Sequence, residues 1–379
     1  MIALDYNATT PLASRVLEAM LPYLAEHHGN PSSIHAQGRA TRAAVDSARD
    51  SMATLLGCKS HELIFTGGGT ESDNLALLGI ARSRSSTHRH LIASAVEHHA
   101  VLHPLEHLQK HEGFTLTLLP VDSHGRVDPD SLRSALRPDT ALVSVMSANN
   151  ETGTLQPVED LSAICRAAGV PFHSDAIQSF GKNALSCAPF DALSLTAHKF
   201  YGPKGAGLLF VRSGTPIQSI LHGGAHENQR RAGTENVAAI VGLAEAARLA
   251  VQDMEAESAR QAGLRDRLWE YVRKACPSAR RNGHPELSLG NTLNVSFPGS
   301  DGESLLMNLD LAGICASSGS ACMVGSLTPS HVLLAMGMSD ALARASVRFS
   351  LGKPTTEADI ETTGRILIEI CRRLKLDAA

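Results

Sequence analysis

The sequence contains no C-x-x-C pair, and its seven cysteines (Cys58, Cys165, Cys187, Cys276, Cys315, Cys322 and Cys371) are odd in number. Neither a disulfide framework nor a thiolate zinc site is therefore expected, and most of these cysteines read as small buried residues. Clustered positive charge is also missing. The net charge is -4, and the basic runs are as short as Arg230-Arg231 and Arg372-Arg373. This excludes a dedicated nucleic-acid surface, which needs concentrated cations for phosphates. The start, MIALDYNATTPLAS, lacks the basic end and apolar core of a secretory signal. The most apolar long stretch, residues 236–251, is broken by Glu245 and Arg248. It suits a buried amphipathic helix rather than a membrane span, so a cytoplasmic location is expected. There is no internal repeat, and the one compositionally biased segment is Ser/Gly-rich, at 317–326.

What remains is ordinary globular material. The chain has 379 residues, 43% hydrophobic and 19% charged, a length suited to two domains. Between residues 60 and 215, β-rich runs alternate with helical patterns: ELIFTG, HLIASA, ALVSVM, VPFHSD, ALSLTA and GAGLLFV, with SDNLALLGIARS and VEDLSAICRAA among the helices. Such alternation predicts an α/β domain with a mainly parallel sheet, whose ligands bind beyond the carboxyl ends of the strands. Helical patterns follow over 234–256 and 258–275. The rest reads strand, helix, loop, helix, strand, helix, with TLNVSF and ASVRFSL as the strands, and predicts a second, smaller α/β domain.

Three motifs fall at the carboxyl ends of predicted strands. In TGGGTESDN (66–74) a strand runs into three glycines and Thr70 opens a helix. Glycines let backbone N–H groups approach an anion, and a helix N-terminus favours negative charge. Thr70 can cap the helix or donate its hydroxyl to a phosphate. No G-K-[ST] follows, so this is not a P-loop, and a plain tight turn with a helix cap is the alternative. In FHSDAIQS (172–179) a strand ends on Asp175, with Gln178 three residues on; the alternative is an N-cap aspartate for a following helix. In TAHKFYGPKGAG (196–207) a β-rich run meets His198-Lys199 and a Gly-Pro turn. Desolvation there would favour a neutral, nucleophilic lysine, against the alternative of an exposed loop lysine. A phosphate cradle, an acid and a lysine at neighbouring strand ends are the parts that pyridoxal phosphate requires. The lysine forms a Schiff base, and the acid keeps the pyridine nitrogen protonated.

On these motifs the chain resembles the fold-type-I pyridoxal-phosphate enzymes of aminotransferase class V. It closely resembles the group I cysteine desulfurases of the nitrogen-fixation type. The likeness runs through LDYNATTP (4–11), GNPSSIH (29–35), TESDN (70–74), VEHHAVL (96–102), ANNETGTL (148–155), DAIQS (175–179), HKFYGPKG (198–205), RRAGTEN (230–236), SSGSAC (317–322) and VRFSLG (347–352). It implies a large cofactor-binding domain over residues 14–256. Residues 1–13 and 257–379 would form a smaller domain carrying a catalytic-cysteine loop.

The resemblance also implies roles. Lys199 would be the Schiff-base lysine and mobile acid/base, Asp175 the partner of the pyridine nitrogen, and Gln178 the partner of the ring hydroxyl. His98 would stack on the ring and assist proton movement. Gly69, Thr70, Thr196 and His198 would hold the phosphate; the family usually has serine where Thr196 stands. Thr234 would reach the cofactor phosphate of the partner subunit in a homodimer. Asn150 would sit beside cofactor and substrate, and Arg348 would bind the substrate carboxylate. Alternation in VRFSL independently turns Arg348 away from the apolar face of Val347, Phe349 and Leu351, and arginine suits bidentate carboxylate recognition. Cys322, in small flexible surroundings, would be the nucleophile, whereas Cys315 on the preceding apolar run reads as structural. Met323-Val324 replaces the Thr-Ser pair common in the family.

The implied reaction converts L-cysteine to L-alanine. Lys199 moves the α-proton, and Cys322 takes the sulfur as a persulfide for an acceptor protein such as an iron–sulfur scaffold. Family members often continue past the helix that ends near Leu376 with a tail used in docking the iron–sulfur scaffold, and that contact is not carried over. Other readings are a selenocysteine lyase or another class V enzyme, and a non-catalytic sulfur-trafficking platform. His99, His103, His107 and His111 recur every four residues. With no acidic or cysteine ligand to complete a site, they are expected to be a surface stripe and no metal is assigned.

Overall fold

The computed structural model describes residues 1–318 and 328–376. Its main sheet has seven strands, in the order Leu63–Thr66, Gly207–Val211, Ala192–Thr196, Phe172–Asp175, Thr140–Ser144, His90–Ser94 and Thr115–Leu119. Only Gly207–Val211 runs antiparallel to its neighbours. The expected mainly parallel sheet is thus present. Thr115–Leu119 was not among the predicted strands. It is an edge strand, and its sequence TLTLL leaves most of its positions at least partly exposed, so it lacks the apolar density that marks the central ones.

Alternation along the central strands builds two cores. Phe65, Leu193, Leu195, Leu208 and Phe210 face one side, where Val16, Val45, Met52, Leu161 and Leu243 come down from four helices. Ile64, Leu91, Ala141, Leu142 and Leu209 face the other, against Leu75, Ile80, Val101 and Leu105. Both faces are covered, which is why these strands read as nearly continuous apolar runs.

The C-terminal region forms its own core. The strands Arg280–Asn282, Thr292–Ser296 and Ser346–Ser350 make a three-stranded antiparallel sheet. Leu293, Val295, Val347 and Phe349 pack against Leu264 and Leu268 of the helix Met254–Ala275 and Ile360 and Leu367 of the helix Glu357–Arg373. The chain start joins this core: Ile2–Ala3 pairs in parallel with Ile314–Cys315, and Leu4 is buried there. The helical pattern expected over 234–256 divides at Asp253, which ends Val237–Gln252 and precedes Met254–Ala275.

The two helices of the C-terminal core meet at a glycine. A Cβ on Gly364 would fall 2.2 Å from Cγ of Tyr271, so the ring packs directly on the backbone. Gly364→Val should cost about 1–3 kcal/mol by overpacking, read as a lowered denaturation midpoint in urea; an unchanged midpoint would mean the helices part without loss.

Candidate functional site

The strand ends of the main sheet converge as the parallel topology requires. A cavity of about 230 Å³ is lined by Gly69, Thr70, His98, Asn150, Asp175, Gln178, Thr196, His198, Lys199 and Arg348, together with Asn7, Ala8, Ala100, Met146 and Ile177. Ten of the twelve sequence-predicted site residues therefore face one space. Thr234 does not: it is exposed on the loop before Val237 and does not line this cavity. Cys322, with Met323 and Val324, lies outside the described residues.

The glycine turn works through its backbone. The strand Leu63–Thr66 hands over to the helix Gly69–Arg84, whose N-cap is Gly68, so of the two roles open to Thr70 the cap is not the one it takes. Thr70 sits one position inside the helix start, its side chain released from capping. Gly68 has φ 153°, a conformation that excludes side chains. A Cβ on Gly69 would lie 2.2 Å from Cδ1 of Ile177. Glu71 accepts from the Gly67 N–H at 2.7 Å and pairs with Arg231 at 2.7 Å. The same carboxylate thus braces the turn and the loop that carries Thr234. That loop is clamped twice more, by Arg49 on Glu227 and by Arg42 on Glu235.

Asp175 ends its strand and is 5% exposed. No helix follows it; the chain turns instead, and Asp175 Oδ1 accepts from the Ile177 N–H at 2.9 Å. The helix-capping alternative is thereby corrected. Burial raises its pKa to about 6, against the Ile177 hydrogen bond and the Lys199 charge, which lower it. Lys199 closes the short helical turn after Ala192–Thr196 and donates to the carbonyls of Asn7 at 2.6 Å and Ala8 at 2.8 Å. It is not the exposed loop lysine of the alternative reading.

The histidines are held neutral. His98 caps the helix His99–His111, its Nδ1 accepting from the Ala100 N–H at 3.1 Å. Burial, then the Lys199 charge, pushes it down to about 4. His198 bonds Thr9 Oγ1 at 3.1 Å and is also pushed down to about 4, again mainly by burial. The Thr196 hydroxyl donates to the Ala206 carbonyl at 3.1 Å.

Arg348 is 3% exposed, on a strand buried along its whole length, and Val347, Phe349 and Leu351 do enter the apolar core. Its Nη2 donates to Asp5 Oδ1 at 2.9 Å and its Nη1 to the Asn150 carbonyl at 2.9 Å. Its Nε has no hydrogen-bond partner among the described residues, an orphan that an arriving carboxylate would satisfy.

Sequence reasoning missed Asn7, although LDYNATTP was among the matched segments. Its carbonyl accepts from Lys199 and Gln178, and its side chain donates to the Asn150 carbonyl and Thr292. A small polar residue distant in sequence from the strand ends carries no periodic signal. Lys182 was also missed; its Nζ donates to Gln178 Oε1 at 3.0 Å. Beneath the floor, His173 bonds Ser144 and Ser194 and lies 3.6 Å from the buried Asp73. Glu97, wholly buried, is raised to about 8 by desolvation.

The histidine run does form a stripe, with His103, His107 and His111 exposed and ring pairs His99–His103 and His107–His111 each at 4.8 Å. Among the described residues no group of three or more metal-ligating side chains occurs. No helix among them is long and apolar enough to cross a membrane. Cys165, Cys187, Cys276 and Cys371 are buried, whereas Cys58 and Cys315 are partly exposed.

With this geometry the comparisons agree. The class-V aminotransferase model matches residues 2–362. The chain is 49% identical over 376 residues to a cysteine desulfurase IscS of Dictyoglomus turgidum, covering 99% of this chain and 95% of that one. It is 46% identical to a cysteine desulfurase IscS of Methanosarcina thermophila, covering 99% and 93%. A solved NifS-like protein superposes with a TM-score of 0.92 at 37% identity, over 98% of this chain and 99% of the other. A structure described as SspA in complex with cysteine gives 0.82 at 37% identity, over 93% and 99%. The chain belongs to the class-V aminotransferase family and, within it, to the cysteine desulfurases.

The buried imidazoles make a pH prediction. His173 is pushed down to about 3 by burial, against an ordinary 6.5. The unfolded chain therefore binds this proton first, and His173 costs stability as pH falls below 6.5. His173→Asn should shrink the stability lost between pH 6.5 and about 4 by about 3 kcal/mol, whatever constant cost the substitution carries. Urea denaturation at the two pH values reads this difference; equal losses in wild type and variant would refute it.

Proposed function

We propose that this cysteine desulfurase acts through pyridoxal phosphate bound at Lys199, converting L-cysteine to L-alanine and loading the sulfur onto Cys322. The observation that carries the reading is the meeting of Lys199, Asp175, His98 and Arg348 around one cavity beside a glycine turn. The residues suit that cofactor. A helix start with backbone N–H groups and the neighbouring Thr70 and His198 would hold its phosphate. Asp175 would face the pyridine nitrogen, Gln178 the ring hydroxyl and His98 the ring. When bound, the cofactor supplies a carbonyl that captures amines and a ring that takes up electron density.

The chain's own residues then divide the work. Arg348 takes the substrate carboxylate, with Asn150 beside it, and Asp5 holds the guanidinium from the far side. Lys199 Nζ takes up the α-proton and returns a proton when the product leaves. Asp175, its charge kept by the Ile177 N–H and Lys199, stabilises positive charge on the ring nitrogen. The Cys322 thiolate would attack the substrate sulfur as its bond to Cβ breaks; the bonding pair stays with Cβ, which takes up a proton to become the methyl group of alanine, and the sulfur remains on the enzyme as a persulfide. A sulfur-acceptor protein, an iron–sulfur scaffold among the candidates, takes the sulfur on. A platform without catalysis needs none of Lys199, Asp175, His98 or Arg348, and an aminotransferase needs no thiol nucleophile.

The reading extends to a cytoplasmic homodimer. Thr234 stands exposed on its clamped loop, a place from which it would reach the phosphate of the partner subunit. Mixing Lys199→Ala with Thr234→Val under subunit exchange should restore activity to part of the population. A fully active monomer would rule the shared site out.

Borohydride reduction of the yellow protein should abolish its visible band and place the adduct on Lys199 by mass spectrometry. An adduct on Lys182 or Lys204 would overturn the assignment. Cys322→Ala should keep the cofactor and its spectral response to L-cysteine, yet release alanine at least about 100-fold more slowly. Desulfuration at the wild-type rate would remove Cys322 from the mechanism.

A further inference from the structure

Lys182 lies outside every motif discussed so far. It follows the turn after Asp175, and its partly buried ammonium donates to Gln178 Oε1 at 3.0 Å. Burial, and then the Lys199 and Arg348 charges, pushes its pKa down to about 7.

A glutamine amide can be turned end for end, and its orientation is decided by the network around it. Here both ends are determined. Nε2 of Gln178 donates to the Asn7 carbonyl at 3.0 Å, while Oε1 accepts from Lys182. The Asn7 carbonyl can only accept, so Nε2 must face it and Oε1 faces Lys182, whose Nζ carries N–H donors in either protonation state. Turning the amide would set NH2 against ammonium and oxygen against carbonyl. The Asn7 carbonyl is further committed by the 2.6 Å bond from Lys199. One hydrogen of the Gln178 amide is thus spent on Asn7. The other remains for the cavity that Gln178 lines.

We propose that Lys182 is a positioning residue that locks Gln178 as an N–H donor, so that the ligand atom meeting Gln178 is an acceptor oxygen bearing negative charge. The inference rests on the cofactor reading above and deepens it: the ring oxygen is bound as the anion, and Lys182 sets that preference without touching the cofactor. Lys182 also lines a second, narrow pocket behind Lys199, with Tyr6, Tyr201 and Asn291. It does not line the cavity that Gln178 lines.

The test is a double-mutant cycle on cofactor affinity. Apoprotein of wild type, Lys182→Met, Gln178→Ala and the double variant is titrated with pyridoxal phosphate, following the visible band, and Kd is read for each. Lys182→Met should weaken binding about three- to tenfold, the scale of one hydrogen bond, and should shift the pH midpoint of the visible band upward. Lys182→Gln, which still donates but carries no charge, should lie nearer to wild type and guards against a folding defect in the methionine variant. In the Gln178→Ala background, Lys182→Met should add nothing, because the lock has lost its object. An undiminished penalty there would mean that Lys182 acts as a plain charge, and would overturn the proposal, as would wild-type affinity in Lys182→Met. Wild-type apoprotein that binds no pyridoxal phosphate would overturn the cofactor reading and this inference together, and is told apart from the other results by needing no variant.

Discussion

The site depends on the main-chain carbonyls of Asn7 and Ala8. They receive the Lys199 ammonium, and the Asn7 carbonyl also receives Gln178. The Asn7 side chain meanwhile bonds the Asn150 carbonyl and Thr292, and Asn291 donates to its Oδ1. One residue near the chain start therefore joins the strand ends of the large sheet to the three-stranded sheet. A carbonyl is a strong acceptor that cannot titrate, so it can hold an ammonium without adding a charge. Were a carboxylate there instead, it would stand as another anion near Asp175, whose pKa is already raised.

Around that hub the charges are arranged by sign and by depth. Lys199 and Arg348 line the cavity from different elements and make it a place for anions. Asp175 lines it, and the buried carboxyl groups of Asp73 and Glu97 lie close enough to interact with Asp175; all three are raised above the ordinary range by desolvation. Three like charges close together in a dry region would repel strongly, and the raised values of Asp73 and Glu97 relieve this by favouring their neutral forms. Asp175 alone has both a backbone N–H and the lysine charge to favour its anion.

The loop before Val237 shows a different economy. Glu227, Asn228 and Gln229 all adopt positive φ, which non-glycine residues seldom do. Such strain persists only when the surroundings over-determine it. The arginine clamps of Arg49 on Glu227, Arg42 on Glu235 and Arg231 on Glu71 do that. Since Glu71 also holds the Gly67 N–H, the shape of the glycine turn and the course of this loop are linked through one carboxylate.

Much of this was legible beforehand. Alternating apolar runs indicated a parallel sheet, because a strand buried on both faces leaves a dense local pattern. Lys199, Asp175 and the glycine turn stood at strand ends, where parallel topology collects ligands, and VRFSL showed which way Arg348 points. Those features are local: each depends on residues within one element. Others could not be read from neighbours. Gly68 rather than Thr70 caps its helix because the backbone there takes a glycine-only conformation. The turn after Asp175 makes one helix-like loop, with the Ser179 and Phe180 N–H groups returning to the Ala176 carbonyl, and then goes into a bridge between Phe180 and Asn183 instead of a helix. The roles of Asn7, Lys182 and Glu71 arise from pairs separated by many residues, such as Asn7 with Lys199 and Glu71 with Arg231. By itself the sequence determined the class of fold, which follows from periodicity, and placed Asp175, Lys199 and the glycine turn at strand ends; the other candidate site residues were named through the family resemblance. Only the tertiary structure decided which hydrogen bond each group makes, and hence which proton or charge it keeps, because desolvation and donor–acceptor pairing exist only once distant segments are packed together.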